Sequence, residues 1–363
     1  MKKNKLIKVL ALALAMLMMV MAFAGCGNKN ENQGNSGDEK TRTIVDMNGQ
    51  SIEVPEKVTK YITLWPSHQS VLAMLDNCES MAACLYDPKN EFSAWLYEMY
   101  PDVPYDASIG EEMSAEEVIE LGVDVVFWQN TASETLAKQL NDAGIAAVNI
   151  AFTDYESMKK SISITADVLN TDYAREMASK FNAELDSTVK EISDITSTIK
   201  DEDKLRVLNL RNFETLRADG KNTVADTWLG ICGAVNVVSE QNLEGNQYLT
   251  KEQIFEWNPD VIMSSATGDA AWAYEQRDLS TLAAVKNKTV YDNPAGIFYW
   301  NRYSTETILQ LKWASKLFYP ELFAEVNVEQ EIKDYYKTFY GYEISDENIQ
   351  QMLKVLTPVG WGE

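Results

Sequence analysis

The chain has 363 residues, 45% of them hydrophobic and 10% aromatic, which is enough apolar material for a packed core in two domains of ordinary size. It carries 32 basic and 55 acidic residues; without the four lysines of its first eight positions, 28 basic residues face 55 acidic ones, a balance of −27. That field argues against nucleic acid as a partner and favours solubility beside an anionic surface, but it identifies no ligand.

Lys2, Lys3, Lys5 and Lys8 precede an unbroken apolar run from Val9 to Ala24, which then meets Gly25-Cys26-Gly27. The run is about 16 residues long. A helix needs roughly 20 to span a bilayer, and no later segment comes close, so residues 1–25 are predicted to be a secretory signal and the chain that follows has no membrane span. Phe23-Ala24-Gly25-Cys26 resembles the lipobox of bacterial lipoproteins, with Phe23 where leucine is usual. The resemblance implies that Cys26 is lipidated and that the protein is extracytoplasmic, tied to the cell membrane by its lipid alone. Residues 26–40 read as a disordered tether, since Gly27 to Lys40 contains no apolar residue. Of the other cysteines, Cys78 and Cys84 would form a disulfide if their Cα atoms come within about 7 Å; otherwise they are small buried residues. Three thiols outside the cytoplasm leave at least one free or paired between molecules.

From Thr41 short apolar runs alternate with amphipathic stretches, the pattern of βα units on a mostly parallel sheet. Strands are predicted at 61–65, 81–86, 123–128 and 146–150, and helices at 70–76, 115–121 and 133–143. A second series repeats the pattern, with strands at 205–210, 261–264 and 289–291 and helices near 223–232, 251–256 and 279–285. Between the two series, residues 155–200 lack proline and glycine, and Ala174, Met177, Ala178, Phe181, Leu185, Val189 and Ile192 recur at helical spacing. A helix over 172–199 would rise about 42 Å, enough to run the height of two lobes. The predicted organisation is an N-terminal α/β lobe at 41–154, a linking helical region at 155–203 and a second α/β lobe with terminal helices at 204–363.

In open α/β sheets ligands sit beyond the carboxyl ends of strands. The candidates there are Trp65, Ser67 and His68 after the first strand, Tyr86 after the second, Trp128 after the third, Arg211 after the first strand of the second lobe, and Tyr299, Trp300 and Arg302 after its last. Flat aromatics give contact area to a bulky, partly apolar ligand at low entropic cost, and the arginine fork suits carboxylate, catecholate or oxyanion. Arg217 could add charge from the same lobe. His68 is the only histidine. A bare zinc or manganese site drawing on several histidines is therefore excluded, as is any serine hydrolase triad that does not use His68. His68 is left as a ligand contact, an axial metal ligand, or a loop histidine bonded to backbone.

Several segments together resemble the class III solute-binding proteins of ABC importers. They are Asp46-Met-Asn-Gly-Gln-Ser-Ile-Glu-Val-Pro55, Ile62-Thr-Leu-Trp-Pro-Ser67, Ser114-Ala-Glu116-Glu-Val-Ile-Glu-Leu-Gly-Val-Asp124, and Leu249-Thr-Lys-Glu252-Gln-Ile-Phe-Glu-Trp-Asn-Pro259-Asp-Val-Ile. The family implies two Rossmann-like α/β lobes joined by one long helix, with the ligand cleft between them, no catalysis and no cofactor of its own. The implied partner is an ABC permease dimer docked on Glu116 and Glu252, and a monomeric receptor is expected. The implied cargo is a metal chelate, a ferric siderophore first; haem, a corrinoid or a molybdate-like oxyanion are alternatives. A sensor lipoprotein would differ only in its partner, and a hydrolase or chelatase would need more than His68 in the cleft. With a rigid strut, closure on ligand is expected to be small, with local ordering of a loop at 266–277.

Overall fold

Residues 40–107, 109–110, 113–129 and 134–361 are described by a computed structural model, and they belong to one compact unit beginning at Lys40. The signal segment, Cys26 and nearly all of the tether lie outside the described residues. No described helix is long and apolar enough to cross a membrane.

The chain opens with an antiparallel hairpin, β1 (Thr41–Val45) and β2 (Ser51–Pro55). Its turn is built by Asp46, whose buried carboxylate accepts from the amides of Asn48 and Gln50 at 2.9 Å, while Gly49 takes the left-handed conformation (φ 77°). The first lobe is a parallel sheet in the order β3-β4-β5, from β3 (Tyr61–Thr63), β4 (Val125–Trp128) and β5 (Ala146–Asn149). Its helices are α1 (His68–Asp76), α2 (Ala94–Met99), α3 (Ala115–Glu120) and α4 (Glu134–Asp142). Each of these strands is buried on both faces, as parallel sheets covered by helices require. Alternation along β4 still sorts the side chains, with Val125 and Phe127 in the central core and Val126 and Trp128 in an outer cluster with Val118 of α3 and Leu136 of α4.

Two helices follow, α5 (Tyr155–Leu169) and α6 (Asp172–Thr196), separated at Asn170, which adopts the left-handed conformation. α6 packs on α1 of the first lobe and on two second-lobe helices, α7 (Val224–Ile231) and α12 (Thr307–Phe318). It ends three residues short of the 172–199 expected, where Thr198 and Ile199 turn back onto the carbonyls of Ile195 and Thr196. At 25 residues it still spans about 37 Å.

The second lobe is built on β6 (Arg206–Leu210), β10 (Val261–Ser264) and β11 (Val290–Asp292), in parallel order β11-β10-β6. The other edge of β6 is shared by the short parallel β8 (Val235–Asn236) and the antiparallel β7 (Arg217–Asp219), which in turn pairs with β9 (Asn246–Tyr248). The remaining helices are α8 (Val237–Glu240), α9 (Lys251–Trp257), α10 (Asp269–Glu275), α11 (Ala283–Asn287), α13 (Val328–Tyr340) and α14 (Asp346–Leu353).

Three expectations need correction. The strand at 81–86 is reduced to single bridges, Met81 to Tyr61 and Cys84 to Tyr105, because the chain turns from one partner to another before a ladder can form. The loop at 266–277 contains α10, and its start is fastened by Asp292, whose carboxylate accepts from the amides of Gly268 and Ala270 at 2.8 Å. The helix near 279–285 lies later, at Ala283–Asn287. Cys78, Cys84 and Cys232 are buried free thiols, raised in pKa by burial.

A buried polar hub ties the lobes together. The Tyr155 and Thr307 hydroxyls meet at 2.5 Å, those of Thr305 and Tyr340 at 2.7 Å, and the Thr305 amide donates to Ser70 Oγ of α1 at 3.3 Å.

Candidate functional site

A cleft of about 520 Å³ lies between the lobes. The second lobe contributes Arg211 after β6, Ser265 to Thr267 after β10, and the segment after β11 that carries Phe298, Tyr299 and Arg302. The first lobe contributes Tyr86, Phe92 and Trp95, and the Phe92 and Tyr299 rings face each other across the gap at 6.0 Å.

The segment after β11 is shaped by buried polar bonds. Glu306 is fully buried and accepts from the amides of Ile297 and Phe298 at 3.1 and 3.0 Å, from Ser304 at 2.8 Å, and from the Tyr336 hydroxyl. A Cβ on Gly296 would fall 1.7 Å from the Glu306 carboxylate, so only glycine lets the strand-end loop pass. Asn301 then donates to Asn209 of β6 at 2.8 Å and accepts from Ser265 at 3.2 Å. The loop is thereby locked to the ends of two strands, with Arg302 held at the cleft.

Charge on the second-lobe wall runs opposite to that of the chain, while Glu91 places one exposed acid on the first-lobe wall. The Arg302 guanidinium lies 5.4 Å from the Phe298 ring centre and 5.7 Å from that of Tyr299, and its Nε has no hydrogen-bond partner. Arg211 donates to Asn246 Oδ1 at 2.7 Å, and its Nε is likewise unpartnered. Burial lowers both guanidinium pKa values; Arg211 falls to about 10, with Arg302 as the next cause. Behind them the carboxyl of Asp219 is raised by burial, although Arg211, Arg302 and Arg217 each pull it down. Burial pushes Tyr299 up to about 12, so its hydroxyl stays a neutral donor. Three cations around one buried acid leave a positive floor that an anion would complete.

Of the residues expected to touch ligand, Tyr86, Arg211, Tyr299 and Arg302 line this cleft. The others lie elsewhere. Trp300 is fully buried in the central core, and Trp128 sits in the outer cluster on the far face of the first sheet. Trp65 packs on Phe152 and Tyr303 at 5.0 and 5.5 Å. Ser67 is fully buried at the start of α1 and accepts through its carbonyl from Ser70 Oγ at 2.8 Å. His68 lies 4.8 Å from the Phe127 ring, with Nε2 3.0 Å from Thr165 Oγ1; burial lowers its pKa to about 3, which keeps it neutral. It is a core residue with no route to a metal in the cleft. Among the described residues no group of three or more metal-ligating acids, histidines or cysteines comes together.

The residues missed by strand-end reasoning are instructive. Ser265 to Thr267 follow β10 directly, and the same rule applied there would have found them. Phe92 and Trp95 come from a short helical excursion after the Met81 bridge, and Val355 to Thr357 come from the segment after α14; neither has a strand-end signature.

Glu116 and Glu252 are both exposed, each at the second position of a helix, α3 or α9. Both helices start with a reciprocal capping box, Ser114 with Glu117 and Thr250 with Gln253.

Two parallel-sheet lobes bridged by a long helix, with a cationic and aromatic cleft between them, define a two-lobed solute-binding protein. The chain belongs to the periplasmic binding protein family, whose profile its residues 85–296 match. It is thus a non-catalytic, extracytoplasmic component of transport. It is similar to the molybdate-binding protein MolA of Haemophilus influenzae, with 22% identity over 85% of this chain and 93% of that one. It is also similar to the uncharacterised ABC transporter substrate-binding lipoprotein YvrC of Bacillus subtilis, with 26% identity over 78% and 87%. The crystal structure of molybdate-bound MolA superposes with a TM-score of 0.74 at 20% identity, covering 84% of this chain and 99% of that one. A periplasmic solute-binding protein of Veillonella parvula gives 0.73 at 22%, covering 87% and 98%.

Proposed function

We propose that this protein is the lipid-anchored receptor of an ABC importer and that it captures an anionic metal chelate in the cleft, a ferric siderophore being the first choice. The observation that carries this reading is the pairing of Arg211 and Arg302 on one wall with Tyr86, Phe92 and Trp95 on the other. Two guanidiniums favour catecholate, carboxylate or phenolate oxygens, and the aromatics suit the organic shell of a chelate. At about 520 Å³ the cleft falls within the usual range for small-molecule sites and is roomy for a bare tetrahedral oxyanion. A molybdate-like oxyanion is the second reading, favoured by the similarity to MolA.

Cys26 would carry the lipid, and Glu116 and Glu252 would meet basic residues of the permease. Titration of the purified protein by tryptophan fluorescence, Trp95 being in the cleft wall, tests the ligand. Ferric tris-catecholate, ferric hydroxamate, haem, cobalamin and molybdate are compared, and the ferric catecholate should bind most tightly. Arg302→Ala should weaken it by about 2–4 kcal/mol, the range for stranding a desolvated charge. Binding only of a neutral or cationic solute would overturn the reading.

A further inference from the structure

One wall of the cleft comes from residues far away in the chain. Val355, Leu356 and Thr357, immediately after α14, line it together with the two lobes, and they lie outside the span that matches the family profile.

The turn that brings them there is strained. At Val355 the chain leaves α14 in the left-handed conformation (φ 59°), a place where glycine is usual and a β-branched residue is a true outlier. Such a conformation persists only where its surroundings hold it. The helix end closes it in part, the Val355 amide donating to the Met352 carbonyl at 3.1 Å and the Leu356 amide to that of Gln351 at 2.9 Å, and two side chains fasten it further, one from each lobe. Thr267 Oγ1, after β10, donates to the Val355 carbonyl at 2.8 Å, and Trp95 Nε1, on α2, donates to the Leu356 carbonyl at 3.2 Å. Further along, the Val359 amide donates to Asn348 Oδ1 at 2.8 Å, which pins the far end back on α14. Leu356 remains 44% exposed, so burial of its side chain does not explain the arrangement.

We propose that Val355–Thr357 is a clasp, a specificity-determining wall of the ligand site that joins the lobes through Thr267 and Trp95 and retards escape of a bulky ligand. The inference rests on the reading of the cleft as the solute site. The two donors belong to different lobes, so any separation of the lobes breaks at least one of these bonds, and the clasp opens as the cleft opens.

The test uses the full chain with ferric tris-catecholate and molybdate as probes, measuring release rates and amide hydrogen exchange over 354–361. Thr267→Val keeps the shape and removes one donor. It should speed both exchange at Leu356 and release of the tris-catecholate by about fivefold, as loss of one hydrogen bond implies, with a smaller effect on molybdate. Unchanged exchange and release in Thr267→Val would overturn the clasp, as would faster exchange with unchanged release. Arg302→Ala separates the two proposals. If it leaves both affinities intact while Thr267→Val still speeds release, the charge assignment fails and the clasp stands. Should neither probe bind, the solute class falls, and the exchange measurement alone still decides whether the clasp exists.

Discussion

The two lobes are wired alike, and their likeness reaches individual side chains. In the first, Asp124 accepts from the amides of Thr59 and Lys60 at 2.6 and 2.9 Å and returns its own amide to the Lys60 carbonyl. In the second, Asp260 accepts from the Arg206 amide at 2.9 Å and returns its amide to the Arg206 carbonyl. Both aspartates follow a capping-boxed helix and immediately precede a parallel strand, β4 or β10, that is paired on both sides. The lobes differ where the ligand would sit. Only the second inserts β7 and β9, which bring Arg217 and Asp219 beside Arg211, and only the first sends an aromatic excursion, Phe92 and Trp95, into the cleft. A repeated scaffold thus carries an unrepeated site: the common parts hold the strands, the loops after β6 and β11 supply the cations Arg211 and Arg302, and the first-lobe excursion adds rings across the cleft.

The largest expected effect tests where scaffold ends and site begins. Trp300 and Arg302 are two residues apart, yet one is fully buried in the core and the other lies at the cleft. Trp300→Ala should cost about 3–5 kcal/mol of stability in urea unfolding. Arg302→Ala should change stability by less than about 1 kcal/mol, with its loss in binding. If Trp300→Ala weakens ligand binding without destabilising the fold, the segment after β11 is not divided as described.

Next in size is a difference between equivalent helix starts. α7 begins with a proper cap, Thr223 accepting from the Asp226 amide, whereas Ser67 before α1 makes no such bond and His68 is buried behind it. The folded protein keeps His68 neutral down to about pH 3, while the unfolded chain protonates it near pH 6.5. Protons therefore favour the unfolded state as pH falls through this window. The contribution lost should reach about 3 kcal/mol by pH 4. Urea unfolding of wild type and His68→Gln at pH 7 and pH 4 should show a steeper acid loss in the wild type. Parallel losses would mean that the imidazole is solvated.

A smaller effect tests the likeness itself. Ser114→Ala and Thr250→Ala each remove one half of a capping box, and each should cost about 1 kcal/mol. Similar costs in a single unfolding transition would show the lobes to be energetically as well as geometrically equivalent. Two transitions, each moved by one substitution, would show that α6 and the polar hub do not couple them.

Much of this scaffold is legible in the sequence because its signals are local. Alternating apolar runs give the strands, Ser114-x-x-Glu117 and Thr250-x-x-Gln253 give helix starts, and apolar residues at helical spacing give α6. The site is less legible, since whether a strand-end aromatic turns inward or outward depends on packing. Trp128 and Trp300 obey the strand-end rule yet go to the core, because in a sheet covered on both faces each side of the strand offers apolar burial. Arg302 instead goes to the cleft, where its guanidinium rests against the Phe298 and Tyr299 rings. Phe92, Trp95 and Val355 to Thr357 reach the cleft only through tertiary contacts, which no short pattern encodes.

The smallest expected change in stability accompanies the largest expected change in transport. Glu116 and Glu252 occupy the same position of equivalent helices, exposed in both lobes. Neither makes a bond that the fold needs, and the favourable interaction of each with its helix dipole is worth no more than about 0.5 kcal/mol at an exposed site. Replacing both with alanine should therefore leave melting temperature and solute affinity nearly unchanged. If the pair docks on basic residues of a permease, the loss falls on encounter and complex lifetime, and uptake should drop and lose its sensitivity to salt. Each single substitution should give a partial defect of similar size, because the two acids are related by the same repeat that relates the lobes. A defect confined to one of them would show that the lobes, alike in their scaffold, face the membrane differently; loss of solute binding in the double variant would remove both from docking altogether.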